Sequence, residues 1–350
     1  MAITEETLAV AARTRKRLQE LTDAQALALT AAWVSAWDSL APDFEAAFVE
    51  LMAGAKDGRV AAKTVAQNIR LRNALQQVRV MLDELTAQTQ ELLSTDVATA
   101  ILDALDSHAA LLQTQLPAGT AASTITFNRT SPEALAALVE RTTERIHAAT
   151  RPLPADVERM MRQELIRGLA VGDNPRRTAS RIMKRAEGRF NGGLSRALTI
   201  SRTETLDAHR ESTRQSRKAN TDLVTGWRWM AMLDTRTCGS CISNHGTVHD
   251  ADDFGPADHP NGRCDAVDVI KSWADLGFTD LVEPDDLFPD AEEWFGGLTP
   301  AEQQQIMGPE RLRLLNDGEV SWGDLSRKTE NPDWRASMQL VPVKDLRPVA

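Results

Sequence analysis

Between Arg59 and Leu116 the chain contains neither glycine nor proline, so nothing in its covalent chemistry turns or breaks that run. Its apolar residues decide what it becomes. Leu71, Leu75, Val78, Leu82, Leu85 and Leu92 recur at steps of three, four and seven, the beat of a helix packed along another helix. The spacing predicts long helices here, with the stripe finding its partner inside the same bundle. Ser94-Thr95-Asp96 offers a cap that would divide the run in two. Upstream, Thr22 to Gln25 has the form of a capping box, and Pro42-Asp43 reads as a break or restart.

Beyond this region the punctuation increases. Residues 117–131 are small, polar and β-branched, a composition suited to a linker. Ser131-Pro132 starts a helix with proline at its first position, and Pro154 opens another. Two further helices are expected over 175–190 and 194–219, with Asn191-Gly-Gly193 as the turn between them. From Gly226 the texture changes: Trp227 to Met232 alternates as a strand does, and six of the eight tryptophans follow this point. The prolines at 332, 342 and 348 point to an extended tail. The expected fold is mainly α, with helical N-terminal and central regions and a small C-terminal α+β domain. The segments are a long-helix region over 1–116, the linker 117–131, a basic helical module over 132–220, the α+β domain over 221–330, and the tail 331–350.

Net charge is -10, but its distribution matters more than the total. Residues 141–220 carry 18 Lys/Arg against 9 Asp/Glu, whereas 1–140 carry 11 against 17 and 221–350 carry 11 against 24. A basic block between acidic flanks could face double-stranded DNA or an acidic protein surface. Arg176, Arg177, Arg181, Lys184, Arg185 and Arg189 are its densest part. Only Phe190 interleaves that patch, so stacking on single strands is not expected. The chain starts without a basic and then apolar leader, and no apolar run reaches membrane-spanning length, which predicts a protein of the cytosol, where thiols stay reduced.

All three cysteines fall in one window with three of the six histidines. Cys238-Gly-Ser-Cys241 places two thiols on one tight turn, and His259-Pro-Asn-Gly-Arg-Cys264 brings an imidazole and a third thiol from a second. Three thiolates and one imidazole suit a tetrahedral zinc ion, with His245 or His249 as alternates to His259. Four protein ligands leave no open position for water, so a structural site is expected. Asp252, Asp253 and Asp258 read as solvated acidic residues. Arg202 and Glu204 point to different faces of their helix and do not form one catalytic constellation. An ion pair tying that helix to the small domain is the expected role.

The order Arg202-Thr203-Glu204, Trp227, Leu233-Asp234-Thr-Arg236-Thr-Cys238-Gly-Ser-Cys241, His245-Gly246 and His259-Pro260-Asn-Gly-Arg263-Cys264 resembles the phage Mu F-like minor head protein family. The resemblance covers about residues 150–270, and Trp294, Leu298-Thr299-Pro300, Gly308 and Leu312–Gly318 look like its usual continuation. Members commonly read His-Pro-x-Cys-Arg-Cys, so Gly262 stands where the first of those cysteines would be. The resemblance implies a non-enzymatic head morphogenesis protein acting architecturally at the portal vertex during head assembly and DNA packaging. It implies contacts with the portal protein, with other head proteins and with packaged DNA, no membrane, and a location in the virion, at the capsid interior or portal vertex, after assembly in the host cytoplasm. Alternatives are a DNA-binding scaffold acting through 141–220 and a finger-type metal-dependent nuclease built on Asp258-His259. The nuclease lacks a second histidine, since none follows His259.

Overall fold

The computed structural model describes residues 3–54, 60–118, 175–330 and 335–346, with a few positions between 136 and 142. Linker residues 119–131, all but those few positions of the helix expected after Pro132, the helix expected after Pro154, and residues 331–334 and 347–350 lie outside the described residues. The protein is mainly helical with a small sheet region toward its C-terminus. Among the described residues no helix is long and apolar enough to cross a membrane.

Three long helices dominate: α1 (Glu5–Ala53), α3 (Ile69–Gln115) and α4 (Pro175–Ala219), with a short α2 (Ala62–Gln67) before the second. None of the expected internal stops takes effect. Thr22 and Gln25 are buried in mid-helix, and Pro42 lies within α1. The hydroxyls of Ser94 and Thr95 donate back to the carbonyls of Gln90 (2.9 Å) and Glu91 (3.2 Å), so they serve the preceding turn instead of capping a new one. The stop that does operate is Asn68, whose Oδ1 accepts from Leu71 N (2.8 Å) at the start of α3. Asn191-Gly-Gly193 is helical throughout, so α4 is one helix where two were expected.

The chain forms two compact units that interleave along the sequence. One comprises residues 21–96 and 141–204. Its core joins Trp33, Leu40, Phe44, Ala47 and Leu51 of α1 to Leu71, Ala74, Leu75, Val78 and Leu85 of α3, so the stripe finds its partner helix within the chain. Arg202 contacts Thr22 Oγ1 (3.1 Å) and Asp23 Oδ1 (3.6 Å) on α1. This corrects the expectation that it ties its helix to the small domain: one turn of α1 already presents a hydroxyl and a carboxylate to it.

The other unit comprises residues 1–20, 97–140 and 205–350. It holds an antiparallel sheet in the order β2-β1-β3, formed by Val248–Asp250, Val224–Met230 and Asp265–Ile270. Trp227 pairs with His249 on one side and Asp268 on the other. A side chain at Gly226 would meet His249 O at 2.4 Å, so β1 and β2 approach this closely only over glycine. Val10, Leu111, Met230 and Val267 share one cluster, and Leu112, Leu116, Val224 and Ile270 another, which seat the early part of α1 and the end of α3 on the sheet.

C-terminal to the sheet come α6 (Ala291–Gly296), α7 (Pro300–Met307) and α8 (Pro309–Asn316), after the short α5 (Gly239–Asn244) that follows β1. Thr299 and Glu302 form the capping box of α7. The tail is not an extended arm. β5 (Ser337–Leu340) pairs with β4 (Ser326–Thr329), and Val341 and Leu346, the latter in a short helix α9 (Val343–Leu346), are buried with Ile242, Phe295, Met307 and Leu314. Proline at 342 falls between strand and helix, where it breaks neither.

Candidate metal centre

Two turns carry the cysteines. After β1 the chain reverses at Leu233 (φ +42°), and the Asp234 carboxylate accepts from Arg236 N (2.9 Å) and Thr237 Oγ1 (3.1 Å), a side-chain-closed turn that leads into α5. Cys238 immediately precedes α5 and Cys241 is its third residue; Ile242 N donates to Cys238 O (3.1 Å). In the second turn Gly262 N donates to His259 O (2.9 Å), and Asn261 takes the left-handed conformation (φ +64°) that asparagine tolerates. Cys264 then enters β3. The two turns are clamped by a fork: Arg263 Nη1 and Nη2 donate to Asp234 Oδ2 and Oδ1, both at 2.7 Å. That partner, above all, holds the Asp234 carboxyl well below its usual range. Arg236 is largely solvent-facing and contacts only the far edge of the same carboxylate (3.4 Å).

Cys238 Sγ, Cys241 Sγ and a His259 ring nitrogen lie within 4.8 Å of one another. Cys264 Sγ joins through Cys241, in a second group with an Asp258 carboxylate oxygen. Cys241 and Cys264 are buried and Cys238 is half-buried. His259 Nδ1 lies 2.8 Å from Pro260 O. A carbonyl only accepts, so Nδ1 carries the proton and Nε2 is the nitrogen available to a ligand. The Cys241 thiol, hydrogen-bonded between Cys238 and Cys264, is pushed up. Cys238, accepting from Cys241 and beside His259, is held down at about 4. His259, hydrogen-bonded to Cys238, is raised to about 9. Cys238 Sγ, Cys241 Sγ and the His259 ring thus form one group, which Cys264 Sγ adjoins through Cys241, and this soft set of three sulfurs and one ring nitrogen fits zinc.

Asp258 fits the ligand role poorly despite its proximity. It is fully buried (0% exposed), which corrects its reading as a solvated residue. Arg210 Nη1 and Nη2 donate to Oδ1 (2.9 Å) and Oδ2 (3.0 Å), and Cys264 N donates to Oδ2 (3.1 Å). With Arg335 Nη2 also 3.5 Å from Oδ1, each carboxylate oxygen already faces two donors. Arg210 also pairs with Asp207 (3.0 Å), and Arg335 Nε sits 2.6 Å from the other Asp207 oxygen. Neither Arg210 nor Arg335 has a local signature: they are single arginines, one on a helix and one in the tail, that only the tertiary fold brings to the centre.

The alternates are engaged elsewhere. His245 Nδ1 accepts from Ala231 N and its Nε2 donates to Pro289 O, both at 2.9 Å. His249 stacks on Trp227 at 4.2 Å, with Nε2 2.9 Å from Thr247 Oγ1. Trp227 is buried in the sheet next to the cysteines, and its Nε1 donates to Asp253 O (3.2 Å). Glu204 is buried on α4. Arg176, Arg177, Arg181, Lys184, Arg185 and Arg189 lie on α4, and their side chains are outside the described residues.

A second buried polar group braces the same sheet. Arg217 Nε donates to Asp268 Oδ1, His108 Nε2 pairs with Asp268 Oδ2, and His108 Nδ1 lies 2.8 Å from Ser216 Oγ. It links α3, α4 and β3. A cavity of about 630 Å³ lies between Phe295, Gln303, Leu315 and Trp322, and none of the cysteine-bearing turns lines it.

Residues 159–267 match the family model described as Phage Mu protein F like protein. The matched stretch takes in α4, β1 and both cysteine-bearing turns, and ends within β3. No curated protein and no solved structure matches the chain.

Proposed function

We propose that this chain, whose residues 159–267 match the phage Mu F-like family model, is a minor head component acting architecturally at the portal vertex during head assembly and DNA packaging. The observation that carries the non-enzymatic part of this reading is the convergence of Cys238, Cys241 and His259, with Cys264 adjacent and Asp258 consumed by Arg210. Such a centre offers a metal four protein donors and offers a substrate no spare carboxylate or imidazole. A zinc ion held by Cys238, Cys241, His259 and Cys264 would cross-link the two turns, and its binding energy would be folding energy for residues 226–270.

Elemental analysis of the purified chain is expected to give about one zinc per molecule, falling toward zero in Cys238→Ser and Cys264→Ser. Cross-linking in assembled heads is expected to join this chain to the portal protein, and absence of any portal cross-link would overturn the vertex assignment. Nicking of plasmid DNA that depends on added divalent metal and is abolished in His259→Ala would replace the architectural reading with the nuclease. Contact with packaged DNA belongs to the same proposal through the basic stretch 141–220. It predicts binding to duplex DNA that weakens steeply as salt rises.

A further inference from the structure

The space that a side chain at position 262 would need is already filled. A Cβ on Gly262 would lie 2.0 Å from Asp258 Oδ2, 2.1 Å from its Cγ and 2.6 Å from Oδ1. The carboxylate cannot swing aside, because the Arg210 fork holds both oxygens and Arg335 Nη1 donates to the Asp258 carbonyl (2.8 Å). Its reach across Gly262 ends on Cys264. Oδ2 accepts from Cys264 N (3.1 Å), while Arg210 Nη2 donates to Cys264 O (2.6 Å). One buried ion pair thus holds the amide and the carbonyl of the same cysteine, which fixes its Cα–Cβ direction and sets Sγ beside Cys241.

We propose that Asp258 is a positioning residue of the metal centre: with Arg210 it grips the main chain of Cys264 and so delivers the third thiolate to a soft divalent cation, and Gly262 is the gap through which its carboxylate reaches. The cation rests on the metal-centre reading above; the grip on Cys264 does not. Partners of this kind orient ligands in metal sites, and losing one typically costs about 10–100-fold in affinity.

The test uses the full-length chain and Co²⁺, whose thiolate charge-transfer band scales with the number of cysteines bound. Asp258→Ala and Gly262→Ala are each expected to cut the band from a three-thiolate to a two-thiolate intensity and to weaken Co²⁺ binding about 10–100-fold. The double variant should match Asp258→Ala alone, in Co²⁺ binding and in the urea midpoint of the metal-free chain, because the new methyl enters vacated space. Asp258→Asn keeps an acceptor for Cys264 N and should keep the three-thiolate band. It also carries the test if Asp258→Ala strands Arg210 and does not fold. A wild-type band in Gly262→Ala, additive losses in the double variant, or a two-thiolate band in Asp258→Asn would each overturn the proposal. A wild-type chain showing no thiolate band with Co²⁺ would sink the metal-centre reading, and the metal-free urea midpoints would still decide whether Asp258 and Gly262 are coupled.

Discussion

Arg210 and Asp258 are 3% and 0% exposed at the side chain, and at that depth an ion pair matters less for what it adds than for what its loss leaves behind. Arg210→Ala would leave the two buried carboxylates Asp207 and Asp258 with Arg335 as their one neighbouring guanidinium among the described residues, and is expected to destabilise the chain by about 3–5 kcal/mol, measured by urea unfolding. Asp268 gives a pH signature. Burial pushes its carboxyl up, but Arg217 and His108 beside it outweigh burial and hold it at about 2. A carboxylate held below its unfolded value of about 4 contributes stability that is complete above pH 4 and is lost as pH falls from 4 toward 2. Thermal melts from pH 6 to 2 should show that decline, and Asp268→Asn should be less stable at neutral pH and flatter across the same window. The candidate cysteine and histidine donors were legible as residue types at set spacings. Which histidine belongs with them was not, because His245, His249 and His259 differ only in what the fold places beside them. The lack of room for a side chain at position 262 likewise comes from four residues away, from a carboxylate that sequence alone gives no reason to think buried.

The long helices carry the next lesson. Each expected stop was a local motif of the right composition, and each was overridden by packing summed over a helix of 45 to 49 residues. Local capping preferences are worth about 1 kcal/mol, less than the burial of a single large apolar side chain such as Trp33 or Leu75, at about 1.5–3 kcal/mol. Pro42 is the dearest of these interruptions, since it removes one helical hydrogen bond and crowds the preceding turn. It is solvent-exposed, so Pro42→Ala is expected to stabilise the chain, by up to about 3 kcal/mol, read as a raised urea midpoint. Strand β1 was legible from the alternation read over 227–232, although the observed strand, 224–230, starts three residues earlier. The pairing of β4 with β5 was not, because four-residue strands of mixed polarity carry too short a pattern to register.

Across the whole chain, the two compact units do not follow one another in sequence; each draws on separated stretches. In the unit that holds the cysteine cluster, Ile3 is fully buried and accepts from Leu287 N (2.8 Å), and the tail supplies Arg335, Val341 and Leu346. Ending the chain at Glu330 would remove that lining from around Phe295, Met307 and Leu314. Limited proteolysis is expected to cut such a truncated chain within 291–325, where the full-length chain resists. The sequence by itself determined the helical class, the helix stripe, the small strand-containing region, the likeness of residues 159–267 to the phage Mu F-like family model and the set of candidate thiol and imidazole donors. These are carried by periodicity, composition and spacing, which neighbours along the chain suffice to define. Only the tertiary structure decided where the long helices stop, that the tail folds back, which histidine joins the cysteines, and that Asp258 lies buried against Arg210. Those outcomes depend on groups far apart in sequence, whose burial and pairing outweigh local preference.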